Sequence, residues 1–113
     1  MKKFIIIYHA NTDAMKQMAS IPPEEQAKGM EAWMIWAKEC GDKLVDMGAP
    51  LIGGQTITRD GKSQDSNIGV NGYSILQAEN MEKAKALLQG HPHLMWNAGC
   101  TIEVYELRVL PGM

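Results

Sequence analysis

The chain's 113 residues suffice for one compact domain and leave no room for two. Hydrophobic residues make up 45% and charged residues 21%, which excludes intrinsic disorder. Eleven Lys and Arg against thirteen Asp and Glu give a formal net charge of -2, which excludes the basic footprint of a nucleic-acid or anionic-membrane partner.

Lys2 and Lys3 precede the apolar run Phe4–Tyr8, which meets the polar residues His9 and Asn11. The run is shorter than the roughly seven to fifteen apolar residues of a secretory core. No stretch approaches the ~20 apolar residues of a membrane span. Cys40 and Cys100 stand alone in apolar surroundings rather than in a spaced framework, and read as reduced thiols packed as small hydrophobes. The expectation is a cytoplasmic protein that folds without metal or disulfide.

Lys3–His9 reads as a first strand, apolar at both parities and so covered on both faces. Thr12–Ala19 reads as a short helix with Thr12 as its cap and Asp13 near the positive end of the dipole. Pro23 at a first helical position, followed by Glu24 and Glu25, starts a longer helix expected to run to Met47. Trp33, Ala37, Cys40, Leu44 and Met47 share one stripe of it, flanked by Met30 and Trp36. Gly48 and Pro50 are its stop. Leu51–Thr58 is the second expected strand, Asp60-Gly61 a hairpin turn, and Ser63–Asn67 a loop. Gly72–Ala78 is the third strand. Asn80 caps a helix over Met81–Gln89 whose buried side is Ala84, Leu87 and Leu88, and Gly90 stops it. His91–Gly99 is a connector and Cys100–Val109 the last strand.

This order predicts an α+β fold of the ferredoxin-like βαββαβ type, one four-stranded antiparallel sheet with two helices on one face. The other face has no helix to cover it, and strands apolar on both sides imply a second copy there.

The histidines do not form a metal site by spacing. His91 and His93 are separated by Pro92, so in an extended segment they point to opposite sides, and His9 is far away in sequence. No metal and no cofactor are expected. His91 just past a helix end reads as a residue whose cationic form the dipole favours. Cys40 on a core helix face is an inert thiol, and Ser74 lies inside a strand without a nucleophile elbow. Glu103 is the principal candidate. In Thr101–Tyr105, Ile102 and Val104 share one face and Glu103 and Tyr105 the other. With Ile102 and Val104 under the helices, Glu103 faces the open side, where a covering subunit would desolvate it and raise its pKa toward acid–base use. The bland alternative pairs Glu103 with a cation such as Arg108. Glu103 and His91 are the catalytic candidates, and Tyr105, Ser74 and His9 the substrate-binding ones.

Gly72-Tyr73-Ser74-Ile75-Leu76-Gln77-Ala78, a helix bearing Ala84, His91-Pro92, Gly99 and Ile102-Glu103-Val104 follow one another in an order that resembles the YCII-related domain family. The first strand and Leu44–Leu51 also fit, so the resemblance spans nearly the whole chain. It implies a ferredoxin-like fold dimerising through its sheets into an α+β barrel. It also implies cofactor-independent chemistry on small organic molecules, with a His-Asp pair. The sequence departs twice: the family's helix histidine falls near Glu31, and Ser66-Asn67-Ile68 follows Asp65 where Gly-Pro-Phe is expected. His91, Pro92 and Glu103 carry over by position. The resulting expectation is a homodimer that binds a small organic ligand, or a cofactor-independent enzyme, with its pocket at the sheet face. The alternatives are a non-catalytic dimeric accessory module, or a cofactor-free oxygenase or isomerase by analogy of fold.

Overall fold

The computed structural model describes residues 1–112. In chain order the elements are β1 (Lys2–Ala10), α1 (Thr12–Ala19), α2 (Pro23–Cys40), β2 (Leu44–Pro50), β3 (Gln55–Ile57), β4 (Ser63–Asp65), β5 (Val70–Ala78), α3 (Met81–Leu87), α4 (Pro92–Trp96) and β6 (Cys100–Glu106). The main sheet has the order β2-β5-β1-β6 with every neighbour antiparallel. β1 and β2 run the same way with β5 between them, an arrangement consistent with the ferredoxin-like plan. A two-stranded sheet, β3-β4, stands apart from it.

Strand parity decides the two faces. Phe4, Ile6 and Tyr8 of β1 and Leu76 and Ala78 of β5 are buried under α2 and α3, against Trp36, Cys40, Ala84 and Leu88. A smaller cluster joins Ala10, Ala14 and Cys100, and so seats α1 at the end of the sheet. Ile5, Ile7, His9, Tyr73 and Ile75 lie on the opposite face, only partly covered by their neighbours. The molecule is a slab, with extents of 44 × 39 × 19 Å. Among the described residues no helix is long and apolar enough to cross a membrane. Cys40 and Cys100 are both buried and free.

Several boundaries differ from expectation. The long helix ends at Cys40, seven residues before Met47, because Gly41 adopts φ 58 and closes the last turn through its N–H to the Ala37 carbonyl. Leu44 and Met47 continue the apolar stripe in sequence but belong to β2, so the second strand of the main sheet is Leu44–Pro50 rather than Leu51–Thr58. The Asp60-Gly61 turn does close a hairpin, but it pairs Gln55–Ile57 with Ser63–Asp65, the segment expected to be a loop. α1 is capped one residue earlier than expected, by Asn11, whose Oδ1 accepts the Ala14 N–H at 2.9 Å. Asn80 caps α3 as expected, accepting from the Lys83 N–H. The connector after Gly90 contains α4, and the last strand ends at Glu106.

Candidate functional site

Two polar clusters lie on opposite sides of β1. On the helix side, Tyr8, Ser74, His91 and His93 are all buried. Their hydrogen bonds can be directed from the chemistry of each atom. Ser74 Oγ donates to the Met47 carbonyl at 2.7 Å, so it accepts from the Tyr8 hydroxyl at 2.8 Å. His91 Nδ1 accepts the His93 backbone N–H at 3.0 Å, which leaves the proton on Nε2, 3.3 Å from the Tyr8 oxygen. His93 Nε2 faces the carbonyls of His9 at 2.8 Å and Thr101 at 3.1 Å and therefore carries a proton toward them. Aromatic edges close the box. The His91 ring lies 4.6 Å from Trp33 and 4.4 Å from Trp36, centroid to centroid. Burial, with His93 beside it, pushes the His91 pKa down to about 4, and burial pushes the Tyr8 hydroxyl up to about 12.

This corrects three expectations. His91 is not a cation at a helix end; it is a neutral core residue whose side chain caps α4. His91 and His93 do not point apart, since the α4 turn brings both rings within 5.2 Å of Tyr8. His91 and Ser74 are fully buried, with every polar atom described above engaged inside the fold, on the helix side of the sheet rather than the face that carries Glu103.

The second cluster is on the open face. Ile102 and Val104 pack toward the helices, and parity sends Glu103 and Tyr105 the other way, as the strand pattern requires. The Tyr105 hydroxyl donates to Glu103 Oε2 at 2.6 Å. The His9 Nε2 sits 2.5 Å from Glu103 Oε1, and its Nδ1 lies 3.2 Å from the Ile68 carbonyl. Because a carbonyl only accepts, Nδ1 carries a proton toward Ile68, and Nε2 is the ring nitrogen turned to the Glu103 carboxylate. Nε2 is buried, and this close contact is the polar neighbour it has. In the single chain the Glu103 carboxyl is held below the ordinary carboxylate range, by the Tyr105 hydroxyl first, with burial opposing it and His9 adding a lesser lowering; the rise expected under a covering subunit belongs to the dimer. Within the chain the charged group beside Glu103 is His9 rather than Arg108.

Beside this cluster lies a shallow cleft of about 470 Å³, whose wall includes His9, Asn11, Ile68, Thr101 and Glu103. It sits where the ends of β1 and β6 meet the start of α1 and the segment that leads into β5. Glycine shapes the rim: Gly69 has φ 78, and a β-carbon there would come 2.6 Å from the Ala10 carbonyl. Glu103 is half-exposed at the cleft and His9 sheltered behind it. Sequence parity was enough to place Glu103 and Tyr105 together. The pairing with His9 required the β1–β6 register, in which His9 is opposite Thr101 and Ile7 opposite Glu103.

No family model and no curated protein matches the chain. Among solved structures it is similar to 5-chloro-2-hydroxyhydroquinone dehydrochlorinase from Burkholderia phenoliruptrix AC1100, in complex with 2,5-dihydroxybenzoquinone. The two share 16% identity, with a TM-score of 0.52 over 89% of this chain and 90% of that one. The likeness is one of fold. It agrees with an α+β chain built on a four-stranded antiparallel sheet, and the site stands on its own geometry.

That geometry makes a test available within the cluster. Tyr105→Phe removes the strongest influence on Glu103, so the titration midpoint of its carboxyl, read by carbon-detected NMR, is expected to move upward. An unchanged or lower midpoint contradicts the hydrogen bond.

Proposed function

We propose that the chain is a YCII-like domain that works as a homodimer through its open sheet face. In this reading it binds a small hydroxylated organic molecule beside Glu103 and exchanges a proton with it. The observation that carries the reading is the Tyr105–Glu103–His9 cluster at the edge of a cleft. Glu103 is the member a ligand reaches. His9 Nε2, directly behind it, receives or returns the proton, and the Ile68 carbonyl fixes the imidazole's orientation through Nδ1. A carboxylate and an imidazole supply proton transfer by themselves, which fits cofactor-independent chemistry. The similar dehydrochlorinase is a protein of this fold that holds a dihydroxybenzoquinone, which supports a hydroxylated ring as the ligand class. The buried, unpaired cysteines suit a reducing compartment such as the cytoplasm.

Titration with 2,5-dihydroxybenzoquinone, followed by amide and side-chain NMR shifts, tests the site. Shifts confined to His9, Thr101, Glu103 and Tyr105 are expected. Glu103→Gln keeps the shape and removes the charge, and should weaken binding about tenfold or more, the loss expected for one charge-assisted hydrogen bond. Binding that survives the substitution intact removes Glu103 from the site. The absence of any response to this and related phenols favours the non-catalytic accessory module.

A further inference from the structure

The β3–β4 hairpin is specified in detail yet covers nothing. The Thr58 N–H reaches the Lys62 carbonyl at 2.9 Å, and Asp60 Oδ1 accepts from both Thr58 Oγ1 and the Lys62 N–H. Gln55 Nε2 donates across the strands to Asp65 Oδ1 at 2.7 Å. Ser66 N–H to the Gly54 carbonyl, at 2.9 Å, closes the base. The strands make their extensive contacts only with each other, and every residue of both is exposed. Ile57 is 73% exposed, and Ile52 and Ile68 at the base are 94% and 68% exposed. A lone two-stranded hairpin is at best marginally stable in water, so one whose turn and cross-strand pairs are this well defined has a surface to lie on.

The surface area of the whole chain says what that surface is. The chain exposes 8226 Å² at a mass of 12.5 kDa. A folded monomer of that mass exposes about 6,200 Å². The excess, about 2,000 Å², is in the range each subunit of an obligate homodimer buries, about 1,000 to 2,500 Å². The central strands of the open face are already half covered within the sheet, whereas the hairpin is bare throughout. Its charges, Arg59 and Lys62 against Asp60 and Asp65, cancel and single out no charged partner.

We propose that the β3–β4 hairpin is an arm that docks on a second copy of this chain, an inference that rests on the homodimer of the reading above. The arm rises beside the cleft, because Ile68, which holds His9 Nδ1, lies on its return limb. Docking therefore ties assembly to the rim of the site.

The experiment removes the arm and measures the dimer. Gly54 and Ser66 are already bonded, so an Asn-Gly turn can replace Gln55–Asp65 without stretching the chain. Sedimentation velocity over a concentration series should show a dimer dissociation constant raised roughly a hundredfold, and raised about tenfold or more by Ile57→Asp, as for loss of a buried apolar anchor. Circular dichroism should remain that of the parent chain. Parent-like dimerisation of the shortened chain overturns the arm and leaves the sheet-face dimer standing, whereas a monomeric parent chain overturns both. If the shortened chain does not fold, Ile57→Asp decides alone, because an exposed residue has no packing to lose; an unchanged dissociation constant then overturns the proposal.

Discussion

Gly48→Ala is expected to destabilise the protein by about 4 kcal/mol or more, combining a left-handed backbone penalty of about 1 kcal/mol with a steric overlap that the sheet cannot absorb. Gly48 has φ 77 in β2, and a β-carbon there would overlap the Tyr73 carbonyl of the adjoining strand. Backbone, unlike a flexible side chain, cannot swing aside, so β2 must leave β5. The consequence extends to the core, because the neighbouring Met47 carbonyl accepts the Ser74 hydroxyl and so ends the chain of bonds from His91 through Tyr8. Gly53→Ala is the matched control. It has a comparable φ of 67 but open space around the added carbon, and should cost only the backbone penalty, about 1 kcal/mol. Urea unfolding of the two variants at one protein concentration separates the terms. Equal midpoints would mean that the close approach of β2 to Tyr73 carries no energy.

The same glycine shows what the sequence could and could not reveal. Gly48 reads as a helix stop because Leu44 and Met47 sit at helical spacing behind Cys40, and periodicity has no way to distinguish a continuing helix from a strand that begins in phase with it. Gly41 was the true boundary. Its signal was weak because an isolated glycine inside a helical pattern is tolerated. Strand parity, by contrast, is a local rule with one answer once the core side is known, and it put Glu103 and Tyr105 on the open face. Sequence also suggested the sheet and its two principal helices, since β1 is a short β-branched apolar run and α2 and α3 carry helix-start residues and apolar stripes. The sign of the Glu103 shift was not legible, because it depends on donors from two strands: Tyr105 two residues away, and His9 of β1, ninety-four positions earlier. His91 was misplaced for a similar reason. Its proline neighbour predicts extended chain, whereas Pro92 in fact opens α4 and turns the His91 ring inward against Trp33 and Trp36.

Burial of that ring makes stability begin to fall in mild acid, above the range in which ordinary carboxylates are mostly protonated. His91 titrates near the ordinary value of about 6.5 in the unfolded chain, and at about 4 in the folded one. Between those values the unfolded chain binds the proton and the folded chain does not, so stability is complete above about pH 6.5 and is lost as the pH falls toward 4. Each unit of difference is worth about 1.4 kcal/mol, so the loss attributable to His91 is about 3 kcal/mol. His93, also shifted down by burial, adds to it in the same direction. The depressed carboxyl of Glu103 acts in a separate window, at and below the ordinary carboxylate range. Urea midpoints from pH 7 to 4.5 should therefore decline steeply. In His91→Gln the slope should flatten toward the His93 contribution, although that variant starts less stable for want of the ring between two tryptophans. A flat profile in the parent chain would show that His91 is protonated without cost. Where the proton acts is also fixed by the hydrogen bonds: once Nδ1 is protonated it cannot accept the His93 N–H, and α4 loses its cap. The first amides to lose exchange protection in mild acid should accordingly be those of α4 and of Ala98 and Gly99 beyond it, on the wall of the cleft beside Glu103.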